Sequence, residues 1–113
     1  MSDLEPARTV AAIDCGTNST RLLVARFTDG GFEALERRVT ITRLGEGVDA
    51  TSRLSNAALG RVVACLGEYK QIIDSHDVSA IRVIATSAAR DASNREDFFD
   101  LVEAVMDVRP ELL

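Results

Sequence analysis

The chain has 113 residues, 46% hydrophobic, 27% charged and 4% aromatic, with 13 Lys and Arg against 18 Asp and Glu for a formal net charge of −5. That apolar content excludes a disordered chain, and the length suits one domain or part of one. The acidic balance argues against sequence-independent nucleic-acid binding, no apolar run approaches the roughly 18 residues of a membrane-spanning helix, and the polar start MSDLEPART is no signal peptide.

Met1 to Ala7 reads as a short disordered lead, with the folded portion following from residue 8 to 113. The first predicted strand, Thr9–Ile13, is apolar at successive positions, as in a strand buried on both faces. A turn follows over Cys15 to Asn18. A second strand runs from Ser19 to Phe27, and Thr28-Asp29-Gly30-Gly31 reads as a hairpin turn, since Asp-Gly tolerates positive φ. The third strand, from Phe32 to Leu44, alternates: Leu35, Val39 and Ile41 on one face, Glu36, Arg38, Thr40 and Thr42 on the other, the mark of a half-exposed edge.

Gly45, Gly47 and Asp49 break that pattern. Ser55 is a plausible N-cap for a helix to Asp74, whose Leu59, Val62, Val63, Leu66, Tyr69 and Ile73 form an apolar stripe. Gly60 and Gly67 cost this helix roughly 1 kcal/mol each and suggest a close approach to the sheet. His76 reads as a contact with the helix C-terminal dipole. A fourth strand, Ala80–Ala85, precedes a second helix from Asn94, its expected cap, to about Asp107, and the chain closes with the start of another strand over Val108–Leu113.

The predicted fold class is α/β with a mixed sheet: a three-strand meander, then a strand–helix–strand crossover. Strands one, three and four then run the same way and end at one rim of the sheet, where open α/β sheets bind ligands. Three polar segments fall there. The first, Asp14 to Arg21, suits phosphate: Gly16 lets backbone N–H groups approach an anion, Thr17, Asn18 and Ser19 add short donors, and Arg21 offers a planar fork. Asp14 would repel phosphate, so its fitting task is to hold Mg²⁺ or orient a water. The same residues also read as an ordinary hairpin turn with a capping Asp. The second segment, Arg43 to Gly47, reads as a turn with Arg43 on the strand surface. The third, Thr86 to Asn94, brings Thr86, Ser87 and Arg90 to a helix start, favouring an anion or, equally, a capped turn with Arg90 paired to Asp91 or a neighbour. Cys15 and Cys65 are neither a disulfide framework nor a metal cluster; both read as buried hydrophobes, and a reducing cytoplasm is the expected setting.

With these residues in view, the chain resembles the exopolyphosphatase / guanosine pentaphosphate phosphohydrolase family of the actin-like ATPase superfamily. The resemblance rests on AAIDCGTNSTRLLVARF (Ala11–Phe27), RLGEG (Arg43–Gly47) and ATSAARDASNREDF (Ala85–Phe98). The first stretch alone also looks like sugar kinases of that superfamily; the third separates the two. Thr17 stands where the family usually has Ser, which keeps the hydroxyl.

The resemblance implies the N-terminal half of an actin-like (ribonuclease H-like) subdomain. It implies an enzyme that releases terminal phosphate from inorganic polyphosphate or guanosine pentaphosphate, with Mg²⁺ as cofactor, and so a part in the stringent response. Gly16, Thr17, Asn18, Ser19 and Arg21 would cradle the reacting phosphate, Thr86 and Ser87 would add donors, Arg43 and Arg90 would steady neighbouring phosphates, and Asp14 would hold the metal through water. The family's catalytic glutamate and second glycine-rich loop would lie in a missing C-terminal part, so the fragment is expected to be inactive alone. Alternatives are the ATP-binding subdomain of a sugar kinase and a non-catalytic alarmone- or phosphate-binding module. Strands apolar on both faces with only two helices to cover them predict that the missing part, or a second copy in a homodimer, covers a bare side.

Overall fold

The computed structural model describes residues 8–113, so the lead expected over Met1–Ala7 lies outside the described residues. The elements are β1 (Arg8–Cys15), β2 (Ser19–Thr28), β3 (Gly31–Ile41), α1 (Val48–Thr51), α2 (Asn56–Asp74), β4 (Ala80–Ala85), α3 (Ser87–Asp91), α4 (Arg95–Met106) and β5 (Glu111–Leu112). They form one sheet in the order β3-β2-β1-β4-β5. The meander β1–β2–β3 is antiparallel, whereas β4 runs parallel to β1 and β5 parallel to β4. The crossover from β3 through α2 thus passes over β2 and β1 and lays β4 beside β1. No helix among the described residues is long and apolar enough to cross a membrane.

Both long helices lie on one face of the sheet. Ala11, Ile13 and Cys15 of β1, Leu22 and Val24 of β2, and Val83 and Ala85 of β4 are buried there against Leu59, Val62, Leu66 and Ile73 of α2 and Phe98, Val102 and Met106 of α4. The i, i+3, i+4 stripe of α2 falls where its spacing predicts, and Ser55 caps the helix, its hydroxyl accepting from the Ala58 N–H at 3.1 Å. Added Cβ atoms at Gly60 and Gly67 would meet nothing within 4 Å, so the expected close approach to the sheet does not occur.

Several local expectations are overturned for identifiable reasons. In the hairpin, Asp29 and Gly30 keep ordinary φ and the positive value of 128° falls on Gly31. A β-bulge opposite Val24 and Ala25 takes Leu35 out of register. Beyond it the polar side of β3 faces the helices. Thr40 bonds to the buried Tyr69 hydroxyl at 2.8 Å, that hydroxyl donates to the Thr20 carbonyl at 2.8 Å, and Thr20 Oγ1 meets Thr42 Oγ1 at 2.8 Å. Val39 and Ile41 are instead turned outward, 62% and 64% exposed. Asn94 occupies the cap position of α4 without capping it. Its amide accepts from the Leu54 N–H at 2.8 Å and donates to the Leu54 carbonyl at 2.9 Å, satisfying two buried backbone groups that the helix end could not reach. His76 meets the Glu36 carboxylate at 3.5 Å rather than the helix terminus alone.

Candidate functional site

β1, β3 and β4 deliver their C-terminal ends to the same rim, and the three polar segments meet there. Backbone hydrogen bonds make the joints. The Asn18 carbonyl accepts from Thr42 N–H at 3.2 Å and Arg43 N–H at 3.1 Å, and the Thr17 carbonyl accepts from Gly45 N–H at 2.9 Å, fastening the first segment to the second. Thr86 N–H reaches the Cys15 carbonyl at 3.4 Å, joining the third segment to the first. Gly45 stands where all three come together. A Cβ there would lie 2.4 Å from Thr17 Cγ2 and 3.4 Å from Ala88 Cβ, so the closure needs a residue with no side chain.

Within the first turn, Gly16 donates its own N–H to the Ser19 carbonyl at 3.0 Å, so that group is committed to the turn. The N–H groups of Thr17 and Asn18, both exposed, donate to no acceptor among the described residues. Ser19, half-buried, opens β2. Arg21 follows two residues later on the sheet face away from the helices, paired across the strands with Asp14 on one side and Val39 on the other. Among the described residues its guanidinium has no ion-pair partner. Asp14 Oδ1 is shielded from solvent and accepts no hydrogen bond. An orphaned carboxylate oxygen of this kind is costly until a water, donor or cation meets it. Asp14, Arg21 and Arg82 share the lining of a groove of about 310 Å³ with Ala12, Leu23 and Ile84.

Arg43 is not a strand residue: β3 ends at Ile41, and Arg43 sits in the connection at φ 51°, its side chain exposed. Arg61 from α2 clamps that connection, donating to the carbonyls of Thr42 at 2.8 Å and Arg43 at 3.1 Å and to Glu46 Oε1 at 3.1 Å. The short helix α3 takes up part of the third segment, which the sequence reads as loop. Thr86 is at its cap position and half-buried, and Ser87 is exposed. Arg90 is not paired with Asp91; it donates to the Leu113 carbonyl at 2.6 Å and to Ser87 Oγ at 3.3 Å.

Burial, then the neighbouring Asp14 charge, pushes the Cys15 thiol up to about 12, and burial raises Cys65 as well. Neither is poised as a nucleophile. No three His, Cys, Asp or Glu side chains cluster as a metal cage among the described residues. Sequence reasoning gave Gly45 only the end of a strand, passed over Arg61, and gave Tyr69 only a place in the apolar stripe. The paired glycines of RLGEG are a usable signal for the first. Arg61 and Tyr69 carry none, because their partners lie 15 to 49 residues away along the chain.

The family model described as the Ppx/GppA phosphatase family matches residues 23–113. The chain is 44% identical over 101 residues to exopolyphosphatase 2 of Mycobacterium tuberculosis, covering 86% of this chain and 32% of that protein. A solved exopolyphosphatase-like protein superposes with a TM-score of 0.92 at 43% identity, over 96% of this chain and 33% of the other. The crystal structure of an Aquifex aeolicus member of the Ppx/GppA family gives 0.90 at 35% identity, over 96% and 35%. The chain therefore spans about a third of the length of the relatives it matches.

Proposed function

The chain belongs to the Ppx/GppA phosphatase family, and from that premise we propose that it forms one wall of the catalytic cleft of a phosphohydrolase releasing terminal phosphate from inorganic polyphosphate. The observation that carries this reading is the convergence at Gly45, which brings Thr17 and Ala88 together, while the N–H groups of Thr17 and Asn18 and, further along β2, the Arg21 guanidinium have no partner among the described residues.

Phosphoryl transfer spreads charge over the equatorial oxygens, so fixed donors and cations supply most of the acceleration. Thr17 and Asn18 N–H groups, with the side chains of Thr17, Asn18 and Ser19, bind the reacting phosphate; Gly16 shapes the turn that aims them. Arg21 places a forked donor beside it. Arg43 holds a following phosphate, and Arg90 does so together with Thr86 and Ser87 once its guanidinium exchanges the Leu113 carbonyl for phosphate oxygen. The orphaned Oδ1 of Asp14 fits a hydrated Mg²⁺, which needs only one or two carboxylates besides substrate phosphates and, when bound, neutralises phosphate oxygen charge. The base that activates the attacking water comes from a carboxylate outside these 113 residues, so the chain alone is inactive. The net charge of −5 opposes a polyanion, which makes binding local to the arginines and sensitive to salt.

The test is orthophosphate release by the longer protein. Arg21→Ala lowers release from polyphosphate at least ~10-fold, the scale of losing one preorganised donor. Wild-type turnover in that variant refutes the assignment. Running guanosine pentaphosphate beside polyphosphate identifies the preferred substrate, and release without any added sugar excludes a kinase.

A further inference from the structure

We propose that Arg61 of α2 is a positioning residue: it fixes the connection after β3 in the backbone arrangement that presents Arg43 to the substrate, a role that rests on the reading of Arg43 as the holder of a following phosphate. Arg43 sits at φ 51°, a left-handed backbone state that residues with a side chain seldom hold unless neighbouring contacts enforce it. Here the contacts come from two sides. The N–H groups of Thr42 and Arg43 donate to the Asn18 carbonyl at 3.2 and 3.1 Å. Their carbonyls accept from Arg61, that of Thr42 from Nε at 2.8 Å and that of Arg43 from Nη2 at 3.1 Å. The Arg43 carbonyl also accepts from the Glu46 N–H at 3.1 Å. The first phosphate segment thus holds one side of these two residues and the helix layer holds the other, while the Arg43 side chain stays exposed.

Placement and chemistry both suit Arg61 to this task. It stands in the second turn of α2, flanked by Leu59 and Val62, which are buried in the core, so its stem rises from a rigid element. Its planar fork sends N–H groups from two nitrogens to two successive carbonyls; a lysine ammonium carries all its donors on one nitrogen and does not match that spacing. The same Nη2 donates to Glu46 Oε1 at 3.1 Å, which offsets a carboxylate charge lying in the same turn as Arg43 and opposed to a polyanion. The ion pair itself adds little to folding, because its side chains are 36% and 53% exposed. What Arg61 supplies is the geometry of the connection.

Steady-state orthophosphate release from polyphosphate by the longer protein tests this, in a cycle of Arg61→Ala, Arg43→Ala and the double variant. Arg43 grips a phosphate beside the reacting one, so a residue acting through it affects substrate holding more than the chemical step. Arg61→Ala is expected to raise KM roughly 10-fold, the scale of one charge-assisted hydrogen bond, and to lower kcat less than about 3-fold. Once Arg43 is alanine, adding Arg61→Ala should change KM less than about 2-fold. Arg61→Lys keeps the charge without the fork and should behave as Arg61→Ala does. An unchanged KM in Arg61→Ala, with Arg43→Ala raising it, overturns the proposal and leaves the reading of Arg43 standing. So do losses that multiply in the double variant, which would make Arg61 an independent contributor to folding or binding, and full recovery by Arg61→Lys, which would make it a plain charge. If Arg43→Ala itself leaves KM unchanged, the reading of Arg43 falls and the proposal with it. Should Arg61→Ala yield no folded protein, Arg61→Lys takes its place in the cycle, with the same outcomes deciding.

Discussion

Adding one methyl group at Gly45 should loosen the joint of all three loops. The Cβ of Gly45→Ala would fall 2.4 Å from Thr17 Cγ2, over 1 Å inside ordinary carbon–carbon contact, and 3.4 Å from Ala88 Cβ. Gly45 does not have a positive φ, so the backbone itself accepts alanine, and the stiffer unfolded chain returns about 0.4–1 kcal/mol. Relief comes either from turning Thr17 off its rotamer or from parting the loops and losing the 2.9 Å bond from Gly45 N–H to the Thr17 carbonyl, and overpacking of this kind costs about 1–3 kcal/mol in all. The net loss is on the order of 1–2 kcal/mol, a fall in melting temperature of roughly 5–15 °C for a domain of this size. Thermal denaturation followed by circular dichroism measures it. Thr17→Ser deletes the clashing methyl, so the double variant should recover at least half the loss. An alanine variant that melts within about 1 °C of the parent, or a double variant no better than the single one, would show that Gly45 does not govern the closure.

Other consequences concern the buried polar groups that brace the rim. Tyr69→Phe strips the Thr20 carbonyl and Thr40 of a shared hydroxyl and should cost about 1–3 kcal/mol in urea denaturation, with no change in slope. Asn94→Ala leaves both backbone groups of Leu54 unmet and should cost about 2 kcal/mol or more; Asn94→Asp keeps the bond from the Leu54 N–H but sets a carboxylate oxygen against the Leu54 carbonyl, and should cost at least as much at neutral pH. Burial raises Cys15 from 9.0 and Tyr69 from 10.0, both to about 12. The unfolded chain therefore releases these protons first, so stability is complete below about pH 9 and falls as pH rises towards 12; denaturation midpoints across that window check the sign, and Tyr69→Phe should flatten the upper part. At pH 8 a thiol reagent should leave Cys15 unmodified in the folded chain and modify it in denaturant.

Much of this protein is written in short-range pattern. The 3.6-residue stripe from Leu59 to Ile73, with Ser55 before it, defines α2 to within a residue, because cap and stripe depend on neighbours three and four positions apart. The Asp-Gly-Gly reversal between β2 and β3 and the polar segments after β1, β3 and β4 are equally local, and the family resemblance rests on them. Sheet order, the inward turn of half-buried Thr40 and buried Thr42 in place of Val39 and Ile41, the diversion of Asn94 from its cap and the closure at Gly45 were decided only by tertiary structure. Periodicity reports that a strand has two unlike faces, but which face meets the helices depends on a bulge at Leu35 and on a tyrosine hydroxyl 29 residues from Thr40. A buried amide or a missing methyl acquires its meaning from atoms that come close only when distant segments pack, and those distances are set by the whole fold.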